Sequence, residues 1–435
     1  MPFPADIHEL VEPELLQQRL DKVTSRDARK HVSVGVSDGS RSGAARVTDG
    51  HASRDDWSFP AGCITKLFTA TLLRQMSSQG IVRLNRPISE YLGDETAHAR
   101  EVYSRIALKH LLEHTHGLDG SALDHAPRMP DGRIDTPRLT RQLVAAAPLF
   151  APGTLYSYSN AGGWLIAAVL ERLSGMSYRA LLRDRLFGLL QLNAAHGNAL
   201  TSQDAAASVC PSVGDALAVS VVDLLRILQH VSTHDPYVWP DVGCASGSAA
   251  IIGLPGWSPF ERGIHLGWKY YGRNWFGHHS TWPGASVLVR IRPAHGTALV
   301  VASRHQPALL IAARLFGGLL PEFANLKVPR RLSAEEIGST DMRRHAGVYR
   351  TAAEAVSICS GAAGLRMDAD SLLHDRSERI FRAQLQPAAD DIFIPDSGGR
   401  DTFPFVQFIA PDRSGRPYLW DGRCVWPKQC RPRPA

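Results

Sequence analysis

The chain has no apolar run long enough to span a bilayer, which takes about 18 residues, so no membrane helix is expected. It also lacks any block of basic residues. Its 48 Lys and Arg are set against 42 Asp and Glu, and the net charge of +6 is spread along the chain. Scattered positive charge of this kind is mostly solvated and gives no footprint for nucleic acid. Cysteine is scarce: Cys63, Cys210, Cys244, Cys359, Cys424 and Cys430 show no C-x-x-C spacing. That argues against a zinc site and against a disulfide scaffold. The opening Met1-Pro2-Phe3-Pro4-Ala5-Asp6 has neither the basic start nor the apolar core of a secretory signal, so a cytoplasmic protein is expected. No solenoid-type repeat is evident.

What is present is ordinary for a globular protein, with 44% hydrophobic and 21% charged residues. A chain of 435 residues can bury a large core and is expected to hold two domains. Residues 9–24 read as a helix. Val32, Val34 and Val36 alternate with polar residues as a strand, and a Gly/Ser turn leads to a second strand near Ala44–Val47. Helical patterns dominate residues 63–230, including Trp164–Leu173 and Val219–Val231. Strand patterns return at 284–291 and 297–302, before a helix over about 307–320. Strands at both ends with helices between predict an α+β fold, an antiparallel sheet covered by helices. After Pro329-Arg330-Arg331 the pattern changes to short strands with Gly and Asp turns.

The chemistry concentrates at Cys63-Ile64-Thr65-Lys66. Ile64, Leu67, Phe68, Leu72 and Met76 repeat at helical spacing, and Gly80 ends the pattern. Residues i and i+3 share a helix face, so the Lys66 amine can lie beside the Cys63 sulfur. A helix N-terminus adds positive potential and free N–H groups, which favour a thiolate and later an oxyanion. Nucleophile, base and electrophilic hole from one turn suit acyl transfer.

The segment Phe59–Leu92 resembles the nucleophile region of the serine β-lactamase and penicillin-binding protein superfamily, in its class C β-lactamase and esterase branch. The pattern S-x-x-K appears as Cys63-x-x-Lys66, followed by Gly80, Pro87 and Tyr91-Leu92. Ile106 to Leu118 is similar to the family's "I-T-I-R-H-L-L-T-H-T-S-G-L", and Pro152-Gly153-Thr154 leads to the Y-x-N motif as Tyr158-Ser159-Asn160. Gly277-His278-His279-Ser280-Thr281-Trp282 falls where relatives carry K-T-G or H-T-G. Three residues depart from the pattern: Cys63 for Ser, His116 for a small Ser, and Ser280 for Gly. Cys63 is either native chemistry or a substitution introduced for Ser.

The resemblance implies a β-lactamase/DD-peptidase-like fold, an antiparallel sheet flanked by helices with a helical subdomain, over residues 1–330. His345-Ala346-Gly347-Val348-Tyr349 resembles the start of a small C-terminal β module found in many relatives, so residues 335–435 are expected to form a lipocalin-like barrel or sheet. It also implies roles. Cys63 is the expected nucleophile, Lys66 its base or ion-pair partner, and Tyr158 the proton relay. Asn160 would orient Lys66 and bind the substrate amide. His278 would bind a carboxylate when protonated, or hydrogen-bond Tyr158 when neutral. His279, Ser280, Thr281 and Trp282 would line the substrate site, with the backbone N–H groups of Cys63 and Thr281 as oxyanion hole. His110, His114 and His116 are expected to make structural hydrogen bonds; neither a metal nor a cofactor is implied.

The expected activity is ATP-independent acyl transfer from an ester or thioester to an amine or alcohol. It would be of the transacylase or peptide-cyclising thioesterase type found in specialised metabolism, with a carrier protein as a candidate partner. The alternatives are a hydrolase (esterase, D-amino-acid peptidase or β-lactamase-like) and a non-catalytic binding protein or sensor.

Overall fold

The computed structural model describes residues 7–25, 31–48, 57–93, 101–123, 126–127, 129, 135–190, 192, 217–234, 239–240, 251–256, 258, 260–282, 284–305, 307–324, 342–361, 364–372, 378–389, 391–396, 405–410 and 415–429. Cys210, Cys244 and Cys430 lie outside them. Among the described residues, no helix is long and apolar enough to cross a membrane.

The first part of the chain forms one large sheet. Its strands are β1 (His31–Asp38) and β2 (Ser42–Thr48); β3 (Ser58–Pro60) and β4 (Ala218–Ser220) pair separately. It continues through β5 (Ile252–Gly253), β6 (Gly263–His265), β7 (Trp268–Gly272), β8 (Trp275–Trp282), β9 (Ala285–Arg292) and β10 (Thr297–Arg304). The spatial order is β2-β1-β10-β9-β8-β7-β6-β5, every pairing antiparallel. The first strand therefore pairs with the last strand of this sheet, with Val34 opposite Val301.

Helices cover both faces. Val32, Val34, Val36, Leu299 and Val301 pack on the helices Pro13–Thr24 and Ala308–Phe316. The alternating residues of β1 are small because the helix Val221–His234 lies on that face. A Cβ on Gly35 would sit 2.6 Å from Val221 Cγ1, so the close approach needs glycine there. The strand is thus buried throughout, where the sequence alternation suggested one wet face.

The larger core lies on that second face, where Ile64, Leu67, Phe68 and Leu72 meet Trp164, Leu165, Val289 and Val300. Burying each large apolar side chain is worth about 1.5–3 kcal/mol, so this cluster anchors the helix Thr65–Ser78, which follows Cys63, against the sheet. The helical pattern assigned from Val219 begins instead at Val221, because Val219 pairs with Phe59 in β3–β4. The edge strands β5–β7 went unread in the sequence: Trp268-Lys269-Tyr270-Tyr271 is buried at every position and does not alternate.

The second sheet is a meander of β11 (Gly347–Arg350), β12 (Glu354–Gly361), β13 (Gly364–Ser371), β14 (Glu378–Ala389), β15 (Ile392–Pro395), β16 (Val406–Ile409), β17 (Tyr418–Trp420) and β18 (Val425–Pro427). An antiparallel bridge between Tyr349 and Lys428, with Gln429 N–H donating to Val348 O at 2.7 Å, closes it into a barrel. Val356, Ile358, Leu365, Met367, Phe393 and Phe408 fill one hydrophobic cluster. A second cluster joins Tyr418, Trp420 and Val425 of the barrel to Phe150, Tyr156 and Ile264 of the first part of the chain.

Candidate active site

The nucleophile turn is built by local constraint. Ala61 N–H bonds to Leu217 O at 2.7 Å, and Gly62 follows with φ +51°. That angle favours glycine, and a Cβ there would lie 2.0 Å from Ser280 Oγ, so both conformation and space require Gly62. A short 3₁₀ turn, Gly62–Ile64, then feeds the helix Thr65–Ser78. Cys63 is half-buried and Lys66 is buried one turn on. The Cys63 N–H donates to Ser280 Oγ at 3.1 Å.

Tyr158 arrives from the loop before the helix Asn160–Ser174, whose N-cap Ser159 accepts from Ala161 N–H. Two ammonium groups flank its ring: Lys66 Nζ is 4.9 Å and Lys269 Nζ 5.2 Å from the centroid. Lys269, on β7, is held by Glu261 at 2.7 Å, both being buried. The pair was not anticipated from sequence. A charged residue amid Trp268, Tyr270 and Tyr271 was the available signal, since a buried lysine needs a partner.

Burial opposes ionisation of the Cys63 thiol, but the Lys66 ammonium, the Tyr158 hydroxyl and Lys269 outweigh it and lower its pKa. Tyr158 moves the other way. Burial, and then the charge on the Cys63 sulfur, push its phenol well above the ordinary value. The site therefore shifts the thiol toward the thiolate and keeps the facing phenol neutral.

Alternation on β8 sends neighbouring side chains to different partners. Ser280 reaches the Cys63 N–H and His278 lies beside Tyr158, ring centroids 6.0 Å apart. Burial, then Lys269, His279 and Lys66, hold the His278 pKa well below its usual value. Its Nδ1 pairs with His279 O at 2.7 Å, while its buried Nε2 has no partner among the described residues. Without a bound anion these influences disfavour a protonated His278, and the ring makes no direct hydrogen bond to Tyr158 among the described residues. His279 turns to Glu261, 3.8 Å away, and is held at about 3 by burial and by Lys269. Thr281 has an exposed side chain, and Trp282 is half-buried at the end of the strand.

Asn160 lines a cavity of about 240 Å³ beside Tyr158, with Asp119, Glu354, Arg423 and Trp426. Its Oδ1 makes no hydrogen bond among the described residues, so it does not orient Lys66 in this structure. The three histidines of the His110–His116 segment use Nδ1 on backbone N–H groups, His110 and His116 locally and His114 across to the Tyr158 loop. They accept from the N–H groups of Ala107 (His110, 3.2 Å), Ser159 (His114, 3.3 Å) and Leu118 (His116, 2.9 Å). The His114 ring also packs 4.6 Å from that of Tyr158.

The barrel completes the site. Its β17–β18 turn binds the catalytic loop: Tyr158 N–H donates to Arg423 O at 2.9 Å, Cys424 Sγ to Tyr158 O at 3.2 Å, and Val425 N–H to Ser157 Oγ at 3.2 Å. Tyr158 is thereby fixed from both sides, by its own helix cap and by the second sheet.

Comparison with known proteins agrees with this geometry. Residues 16–315 match the family profile described as Beta-lactamase. Penicillin-binding protein 4 of Amycolatopsis lactamdurans is 27% identical over 325 residues, spanning 66% of this chain and 83% of that protein. Among solved structures, SurE with D-Leu superposes with a TM-score of 0.70 at 22% identity, covering 96% of this chain and 99% of that one. A D-stereospecific amidohydrolase from Streptomyces sp. superposes with a TM-score of 0.52 at 19% identity, covering 70% and 99%.

Proposed function

The chain belongs to the beta-lactamase family, within the serine β-lactamase and penicillin-binding protein superfamily, and on that premise we propose that it transfers acyl groups through a thioester on Cys63. It is an enzyme of the hydrolase and acyl-transfer kind. The observation that carries the finer reading is the meeting of a lowered-pKa thiol, Lys66 and a neutral Tyr158 phenol in one buried cleft.

The Cys63 thiolate attacks the acyl carbon, and the carbonyl electrons move to oxygen beside the Cys63 and Thr281 N–H groups. Collapse of this intermediate breaks the bond to the leaving group, which takes the proton of Tyr158. Burial keeps the phenol a poor acid and the Cys63 thiolate adds to this; once the sulfur is a neutral thioester that second influence is gone, so Tyr158 gains acidity when a proton is needed. Lys66 and Lys269 stabilise the phenolate. An acceptor amine in the neighbouring cavity then attacks the thioester carbon, gives its proton to the phenolate, and releases the Cys63 thiolate.

Thioesters react readily with amines, which favours transfer over hydrolysis. We read the donor as an ester or a carrier-bound thioester of specialised metabolism, handled in the cytoplasm. Hydrolysis is the second reading; the likeness to a D-stereospecific amidohydrolase favours it, and it also recommends D-configured donors for testing.

Intact-protein mass after mixing with acyl esters, acyl thioesters and a β-lactam, with and without an amine, tests the assignment. The expected result is an adduct that vanishes in Cys63→Ala and is discharged faster by amine than by water. Discharge indifferent to amine would leave a hydrolase, and no adduct with any donor would refute the covalent mechanism.

A further inference from the structure

The Cys63 N–H carries one hydrogen, and in this structure it is directed at Ser280 Oγ, 3.1 Å away. An oxyanion stabilised by the same N–H must lie about 2.7–3.1 Å from the nitrogen, in the place the hydroxyl fills. Ser280 is only 3% exposed, and its hydroxyl lies so close over Gly62 that a Cβ there would meet it at 2.0 Å. The contact is therefore a packed one, made by a side chain in a position where the family pattern has none.

We propose that the Ser280 hydroxyl is a built-in occupant of the oxyanion hole, a gate that every acyl donor displaces before Cys63 is acylated. The proposal rests on the covalent reading of Cys63 and adds a displacement step to it. Displacement costs each donor the same neutral hydrogen bond, so Ser280 slows acylation of Cys63 by every donor alike and acts as a brake on the site. The opposite role, a hydroxyl that donates its proton to the oxyanion, predicts the opposite sign for every variant.

The test is the single-turnover rate of Cys63 acylation by a small acyl thioester of N-acetylcysteamine, followed by intact mass, for wild type, Ser280→Gly and Ser280→Ala. Losing one neutral hydrogen bond from the ground state should speed acylation about five- to tenfold in both variants. Both should also bind an acyl aldehyde more tightly, because its hemithioacetal oxygen enters the same hole. Circular dichroism establishes that each variant is folded, and Ser280→Ala guards against a backbone effect peculiar to glycine. Equal or slower acylation of folded variants, with the wild type still forming its adduct, overturns the gate and leaves the covalent reading standing. A wild type that forms no adduct at all overturns both.

Discussion

Lys269 is the residue whose removal tests the electrostatics of the site most directly. It lies 5.2 Å from the Tyr158 ring centroid and adds a second positive charge to that of Lys66. At that distance, with an effective dielectric constant near 20, a unit charge stabilises the phenolate by about 3 kcal/mol. In rate that is roughly 200-fold if the whole phenolate charge develops in the transition state. Glu261, 2.7 Å from Lys269, opposes part of this field, so the expected loss is about 10- to 200-fold. Lys269→Met alone would strand Glu261, whose carboxyl is now held at about 2 against the cost of burial by Lys269 and His279. The informative variant is therefore Lys269→Met with Glu261→Gln, which leaves a neutral pair. Single-turnover acylation and deacylation should both slow, while thermal unfolding improves on Lys269→Met alone. A folded double variant within about twofold of wild type in both steps would refute the stabilisation of Tyr158 by Lys269.

Two further outcomes follow from the same geometry. Replacing Lys66 by Met removes the largest influence lowering the Cys63 pKa and leaves burial, which raises it. The thiolate fraction at neutral pH should fall, and the acid limb of iodoacetamide alkylation should move to higher pH; an unmoved limb would show that Lys66 does not hold the thiolate. The second outcome concerns Arg290 beneath β8. It pairs with Glu322 at 2.6 Å, both fully buried, and donates to His278 O at 3.0 Å. Glu322→Leu should cost about 3–5 kcal/mol by stranding the guanidinium, and Arg290→Met with Glu322→Leu should recover most of it. Urea unfolding measures both, and a Glu322→Leu protein as stable as wild type would contradict the argument.

Much of the fold was legible in local patterns. The helical spacing of Ile64, Leu67, Phe68 and Leu72 placed the nucleophile helix, and the Val32–Val36 and 284–302 alternations placed the central strands. Strands β5 and β6 escaped because two or three residues are too short to show a period, and β7 because Trp268-Lys269-Tyr270-Tyr271 does not alternate. The motif order put His278 near Tyr158, where it lies, but its charge state was not legible. Protonation depends on burial and on Lys269, His279 and Lys66, and only His279 adjoins it in the chain.

By itself, then, the sequence determined the family, the order of the motifs and the identity of Cys63, Lys66 and Tyr158, because residue type and near-neighbour spacing suffice for these. Tertiary structure alone decided that Ser280 sits on the Cys63 N–H from 217 positions away, and that Cys424 holds Tyr158 across 266. It also decided that Lys269 reaches Tyr158. The reason is physical: local periodicity records which face of an element is buried, whereas which buried faces meet is set by the packing of the whole chain.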